Sequence, residues 1–176
     1  MTKDFINHIK ELIEQKDSVL LQEFVSKLHP ADIAEICLEL TIEQARFLYR
    51  QLDNEKAADA LTEMDEDLRN ELLEELPSEA IAKRFVNYMD TDDAVEIIRD
   101  LDEEKQEEVL LHIKDIEQAG DIVDLLQYDE DTAGGLMSTE MVVVNENWSM
   151  PECLKEMRQQ AEELDDIYYI YVVDDD

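Results

Sequence analysis

Glycine is nearly absent from this 176-residue chain, with three residues in all, and proline is equally scarce at three. So little turn chemistry argues against an all-β fold of many tight turns and for a chain that is mostly helical. Basic residues are also few: 15 Lys and Arg stand against 48 Asp and Glu, for a formal net charge of −33. Nucleic acid and anionic lipid are poor partners for such a surface, because both are held by Lys and Arg on phosphates. A cationic partner is the natural complement.

Long apolar runs are missing too. The longest, "IYYIYVV" from Ile167 to Val173, is far short of the roughly 18 residues of a transmembrane helix. The N-terminus "MTKDFINHIKELIEQKD" lacks the apolar core and cleavage site of a signal peptide and reads as an amphipathic helix, so a soluble, cytoplasmic chain is expected. The two cysteines, Cys37 and Cys153, have no CxxC spacing and read as small buried hydrophobes. His8, His29 and His112 are scattered, no nucleophile has a partner at motif spacing, and no glycine-rich phosphate loop exists, so an enzyme is not expected. His29, before Pro30, reads as a helix cap.

What is present is core material. Hydrophobic residues make up 44% of the chain, too many for a disordered acidic tail. Large apolar residues align at Leu28, Leu40, Leu52, Met64, Leu76, Met89, Leu101 and Ile113, twelve residues apart except for thirteen between Leu76 and Met89. Most units open on Thr, Asp or Ser, which cap helix N-termini, and Thr41 with Gln44 suits a capping box. Each then carries apolar residues three and four apart, so each predicts one short helix. Helices of about ten residues are marginal alone and must stack. "LHPADIAEIC", "LDNEKAADAL" and "MDTDDAVEII" look related, which suggests a two-helix repeat of about 24 residues wound into a superhelical array, with Pro77 to Met89 interrupting the alternation. An irregular helical bundle is the competing architecture.

Past residue 120 the texture changes. Gly120 reads as a break before a last helix, "DIVDLLQY", and the paired Gly134 and Gly135 as backbone that needs angles closed to other residues. "MVVV" predicts a short buried strand. Ser149, Pro151 and Glu152 predict a capped helix start, and "IYYIYVV" a second strand. The order is β-α-β, in a unit too small to be a comfortable domain. The fold expected is therefore mainly α, a superhelical array of short helices in residues 1–128, followed by a partial α/β unit in residues 129–176.

"LHPADIAEICLEL", the later "KAADAL", "YDEDTAGGLMSTE" and "IYYIYVVDD" together resemble the cytosolic part of the MgtE-type magnesium channels. The resemblance implies an N domain followed by the beginning of a cystathionine-β-synthase (CBS) domain. The second CBS motif, connecting helix and pore of that family are not in these residues, so a fragment of a longer, homodimeric membrane protein is expected, lying on the cytoplasmic face of the membrane. It also implies a function: Mg²⁺ bridges the N and CBS domains and favours the closed pore. Residue by residue, it marks Asp59, Asp92 and Glu96 as metal ligands, with Asp93 an alternative to Asp92 because of the thirteenth residue near Met89. Asp92 and Glu96, four apart, share one helix face. Tyr169 matches an aromatic that stacks on adenine, with core packing of a strand aromatic as the other reading, and ATP is implied as a ligand of the complete CBS domain. The competing function is an acidic helical-repeat scaffold for a basic protein, without metal sensing.

Overall fold

The computed structural model describes residues 3–162, 164 and 167–174. Ten helices come first, from α1 (Lys3–Glu14) and α2 (Ser18–Val25) through the repeats α3 (Pro30–Leu38), α4 (Ile42–Tyr49), α5 (Asn54–Thr62), α6 (Glu66–Glu74), α7 (Ser78–Arg84), α8 (Thr91–Arg99) and α9 (Glu103–Leu111) to α10 (Ile116–Leu125). Each twelve-residue unit is one helix, as its pattern predicts. A single 3-10 turn, Val86–Tyr88, takes up the thirteenth residue.

The twelve-residue period and the lack of glycine have one cause. These helices end on αR residues such as Glu39, Arg50, Glu63, Glu75 and Asp100, with no left-handed cap, and Lys16 is the only described residue at positive φ. Two or three residues on, an extended residue begins the next helix, as where Asp53 accepts from the Lys56 amide and Asp102 from the Lys105 amide, both at 2.9 Å. Thr41 and Gln44 form the reciprocal capping box, and His29 accepts from Ala31. Between cap and cap sits the aligned apolar residue, buried at Leu52, Met64 and Met89 and packed against the core at Leu40, Leu76 and Leu101. A turn built this way needs no residue at φ > 0.

Packing follows a two-helix repeat. α3, α5, α7 and α9 touch in succession as one row, while α4 packs on α6 and α8 on α10. The row α5–α7–α9 runs straight through Pro77–Met89, so the insertion alters the sequence cast of the repeats without breaking their stacking.

The scarce cations join successive layers by neutralising helix C-termini. Lys56 donates to the Ser26 and Leu28 carbonyls at 2.7 and 2.9 Å, Lys105 to those of Leu73 and Glu74 at 3.0 Å, and Arg99 to those of Leu125 and Tyr128 at 3.0 and 2.8 Å. Arg69, only 3% exposed, lies 2.8 Å from both Glu96 and Asp100. With these donors spent on carbonyls and on the two partners of Arg69, 15 bases leave most of the 48 acids unbalanced.

Gly120 does not break a helix. It sits inside α10, which starts at the Asp115 cap and is held by buried Ile122 and Leu125. One glycine costs a helix about 1 kcal/mol, and the packing of that apolar face outweighs it. The paired glycines differ from expectation as well. No described glycine has positive φ; instead a side chain at Gly134 would collide with the Tyr128 ring, and one at Gly135 with the Asp129 carbonyl. Close approach selects them, rather than unusual backbone angles.

Beyond the turn come β1 (Val142–Asn145), α11 (Met150–Gln160) and β2 (Ile170–Val173). The strands are parallel, with Val142 opposite Ile170 and Asn145 opposite Val173. The Ser149–Glu152 capping box opens α11 as predicted. At its far end the Gln160 amide donates to the Val143 carbonyl and accepts from the Val143 amide, at 2.9 and 2.8 Å, occupying backbone groups of β1. Strand β2 is shorter than "IYYIYVV" because Ile167 to Tyr169 precede the pairing. Cys37 is buried, which pushes its thiol up to about 12, but Cys153 is only partly covered because α11 buries no residue.

Candidate functional site: an acidic cleft between the helical array and the β-α-β unit

Two segments converge on the start of α8. Its N-cap, Asp90, makes no side-chain capping bond, and the task passes to a residue 49 positions away. Glu140 accepts from the Thr91 amide at 2.9 Å and from the Thr91 hydroxyl, which also meets the Thr139 hydroxyl. Ser138 donates to the other Glu140 oxygen at 2.8 Å. Thr91 is only 1% exposed, so these bonds are shielded from water. Burial works against the charge of Glu140, yet the bonds from Thr91 and Ser138 outweigh it and hold the carboxyl below its ordinary range. A carboxylate at a helix N-terminus is also favoured by the helix dipole. Glu140 thus latches the segment leading into β1 onto the helical array.

Beside this latch lies a cleft of about 780 Å³. The array contributes Asp90, Asp115, Glu117 and Asp121, the opposite side contributes Glu140 and Gln160, and Lys114 is the one cation among the lining residues. Two contacts fix the array's side of it. The Lys114 amide donates to Asn87 at 2.9 Å, and the Gln118 side chain donates to the Val86 and Met89 carbonyls at 3.3 and 3.0 Å.

The residues singled out from the sequence divide. Asp59 and Asp93 come together in a recess of about 180 Å³ that also includes Glu63 and Asp90. Asp92 does not line it. Glu96 is turned to Arg69, at 2.8 Å. Asp93, and not Asp92, thus shares a recess with Asp59. Burial first, and then the charges of Asp92, Asp90 and Glu96, raise the Asp93 pKa to about 6, with Arg69 opposing. Such a carboxyl gains from any cation that approaches it.

Among the described residues no group of three or more His, Cys, Asp or Glu is arranged to cage a metal. Carboxylates placed singly around a wet cleft suit instead a hard cation that keeps most of its waters and takes one or two protein oxygens. Asp115, Glu117, Asp121 and Glu140 escaped the sequence reading because nothing periodic marks them. Their convergence depends on contacts across dozens of residues; the nearest local signal was the run of polar side chains at Ser138, Thr139 and Glu140.

Tyr169 borders an adjoining groove of about 460 Å³, with Tyr168, Tyr171, Met137 and Val142, which shares Glu140, Met141 and Leu164 with the cleft. At 73% exposure it is not packed into a core.

Comparison with known proteins gives a consistent result. Residues 28–131 match the family described as the MgtE intracellular N domain. The chain is 29% identical over 169 residues to a magnesium transporter MgtE of Thermus thermophilus, covering 95% of this chain and 37% of that protein. It is 41% identical over 58 residues to one of Enterococcus faecalis, covering 33% of this chain and 13% of that protein. The chain thus spans less than two-fifths of the curated relatives it matches. A crystal structure of the soluble part of a magnesium transporter superposes with a TM-score of 0.79 at 27% identity, covering 98% of this chain and 68% of that one. The cytosolic domain of the Mg²⁺ channel MgtE in complex with ATP gives 0.83 at 28% identity, covering 97% and 69%.

Proposed function

Because this chain belongs to the MgtE intracellular N domain family, we propose that it is the Mg²⁺-sensing cytosolic regulatory region of a magnesium transporter, in which Mg²⁺ bridges the helical array and the β-α-β unit. The observation that carries this reading is the cleft: four acids of the array and Glu140 from the opposite side line one space with a single lysine among them. Two unit charges about 4 Å apart repel by roughly 1 kcal/mol in bulk water and about 4 kcal/mol at an effective dielectric constant near 20. Acids that line one cleft repel one another by this mechanism when no cation intervenes.

Mg²⁺ removes that repulsion while keeping most of its water, so it favours the closed arrangement by its differential affinity for it. Asp90, Asp121 and Glu140 are the candidate ligands across the cleft, and Asp59 and Asp93 those of the neighbouring recess. The Glu140 latch keeps the two bodies in register while they open and close. In the whole, dimeric transporter this movement would be passed to the pore, giving feedback on uptake at the cytoplasmic face of the membrane. The tyrosine groove supports a nucleotide role for Tyr169 in the complete CBS domain, as does the ATP complex of the similar Mg²⁺ channel. Among the described residues, no helix is long and apolar enough to cross a membrane.

The reading is tested by melting the chain during a Mg²⁺ titration at constant ionic strength, alongside the double variant Asp90→Asn/Asp121→Asn. A rise in melting temperature at low millimolar Mg²⁺ that the double variant loses is expected. An identical response to Na⁺ at the same ionic strength would leave the chain as an acidic scaffold for a basic partner.

A further inference from the structure

In a chain with so few cations, three of the six arginines, Arg46, Arg50 and Arg84, line one crevice of about 130 Å³. Their charges are only partly cancelled. Arg46 lies 2.8 Å from Glu75 and 3.8 Å from Glu43, and its Nε is buried with no partner. Arg84 gives its bonds to the Tyr49 and Leu52 carbonyls, which carry no net charge. Arg50, on the exposed end of α4, forms no ion pair among the described residues. Burial first, and then the charge of Arg50, lower the pKa of Arg84, so the two guanidinium groups feel each other. The remaining walls are Tyr49, Leu72, Leu76, Phe85 and Glu75, whose carboxylate is taken by Arg46.

We propose that this crevice binds a small monocarboxylate with a short apolar body, its carboxylate on Arg50 and Arg84 and its alkyl part against Leu72, Leu76 and Phe85. Guanidinium groups present planar donor forks that match a carboxylate. At roughly 30 Å³ per water the space equals about four waters, enough for an anion of about six heavy atoms and too little for a nucleotide. Inorganic phosphate fits the same forks, but it is more highly charged and hydrated and would also give up water against apolar walls that return no bond. None of these residues lines the acidic cleft or recess, so the assignment stands apart from the Mg²⁺ reading.

Calorimetric titration of the 176-residue chain with sodium butyrate, beside sodium chloride and inorganic phosphate at matched ionic strength, tests it. Butyrate is expected to bind saturably, with affinity reduced roughly tenfold or more in Arg50→Gln, an exposed site whose change leaves the fold intact. Leu76→Trp, which fills the crevice without altering its charge, is expected to abolish binding while circular dichroism shows the helices retained. A butyrate signal no larger than that of chloride overturns the proposal, as does unchanged affinity in Arg50→Gln. Phosphate binding as tightly as butyrate overturns the assignment to a carboxylate with an apolar body.

Discussion

In the helical array, buried apolar side chains run from Ile9 on α1 to Leu125 on α10 as one continuous core, whereas beyond it, among the described residues, only Val142 and Val144 are buried. Neither α11 nor β2 buries a single residue, and Tyr168, Tyr171 and Val172 are all exposed. The array is held by its own packing and by cation-to-carbonyl bonds that step from layer to layer. The β-α-β unit is held by one strand pair, Gln160 and the Glu140 latch. The contrast suits a sensor: a rigid acidic body, and a lightly held one that an ion can draw against it.

The contrast is most exposed to core truncation. Phe85→Ala, at a fully packed position between α7 and the 3-10 turn, is expected to cost about 3–5 kcal/mol in urea unfolding. Leu154→Ala on α11 should change it by no more than about 0.5 kcal/mol. Comparable losses at the two sites would mean that the two regions share one core.

Next in size is the latch. Glu140→Ala removes the cap of α8 and should cost about 1–2 kcal/mol. It should also raise the radius of gyration in the absence of divalent ions, an effect that an ordinary surface substitution does not produce.

The acidic face itself sets the third effect. Asp93 binds its proton more tightly folded than unfolded, so its contribution favours the folded state below the unfolded value of 3.8 and is lost as the pH rises through about 6. Asp93→Asn should therefore stabilise the chain at pH 8 by about 1–2 kcal/mol, allowing for solvent screening, and leave it unchanged at pH 3. Thermal melting across that range checks both limbs. The smallest effect lies in α10, where Gly120 has open space around it: Gly120→Ala should stabilise by about 0.5–1 kcal/mol.

The array was legible in the sequence because its periodicity records its packing. A core-facing apolar residue about every twelve positions, followed in most units by an Asp or Thr cap, describes the turns, and Leu52–Asp53, Met64–Asp65 and Leu101–Asp102 show it. Capping-box spacing likewise marked the helix starts at Thr41 and Ser149. Gly120 misled because propensity at one position is weak beside the packing of Ile122 and Leu125. The glycine pair was placed correctly for the wrong reason, since the Tyr128 ring and the Asp129 carbonyl approach them in space and not along the chain. The site was only partly legible. Asp59 and Asp93 do meet, but the Arg69 partnership of Glu96 and the grip of Glu140 on Thr91 span 27 and 49 residues, and no local pattern carries them.

In the proposed function, Mg²⁺ draws the β-α-β unit and the helical array together through the acids that line the cleft. Small-angle X-ray scattering of the chain, as Mg²⁺ replaces Na⁺ at constant ionic strength, tests it directly. The account predicts a fall in the radius of gyration at low millimolar Mg²⁺ that Asp90→Asn/Asp121→Asn abolishes. A radius that follows ionic strength alone, with Mg²⁺ and Na⁺ indistinguishable, would contradict it.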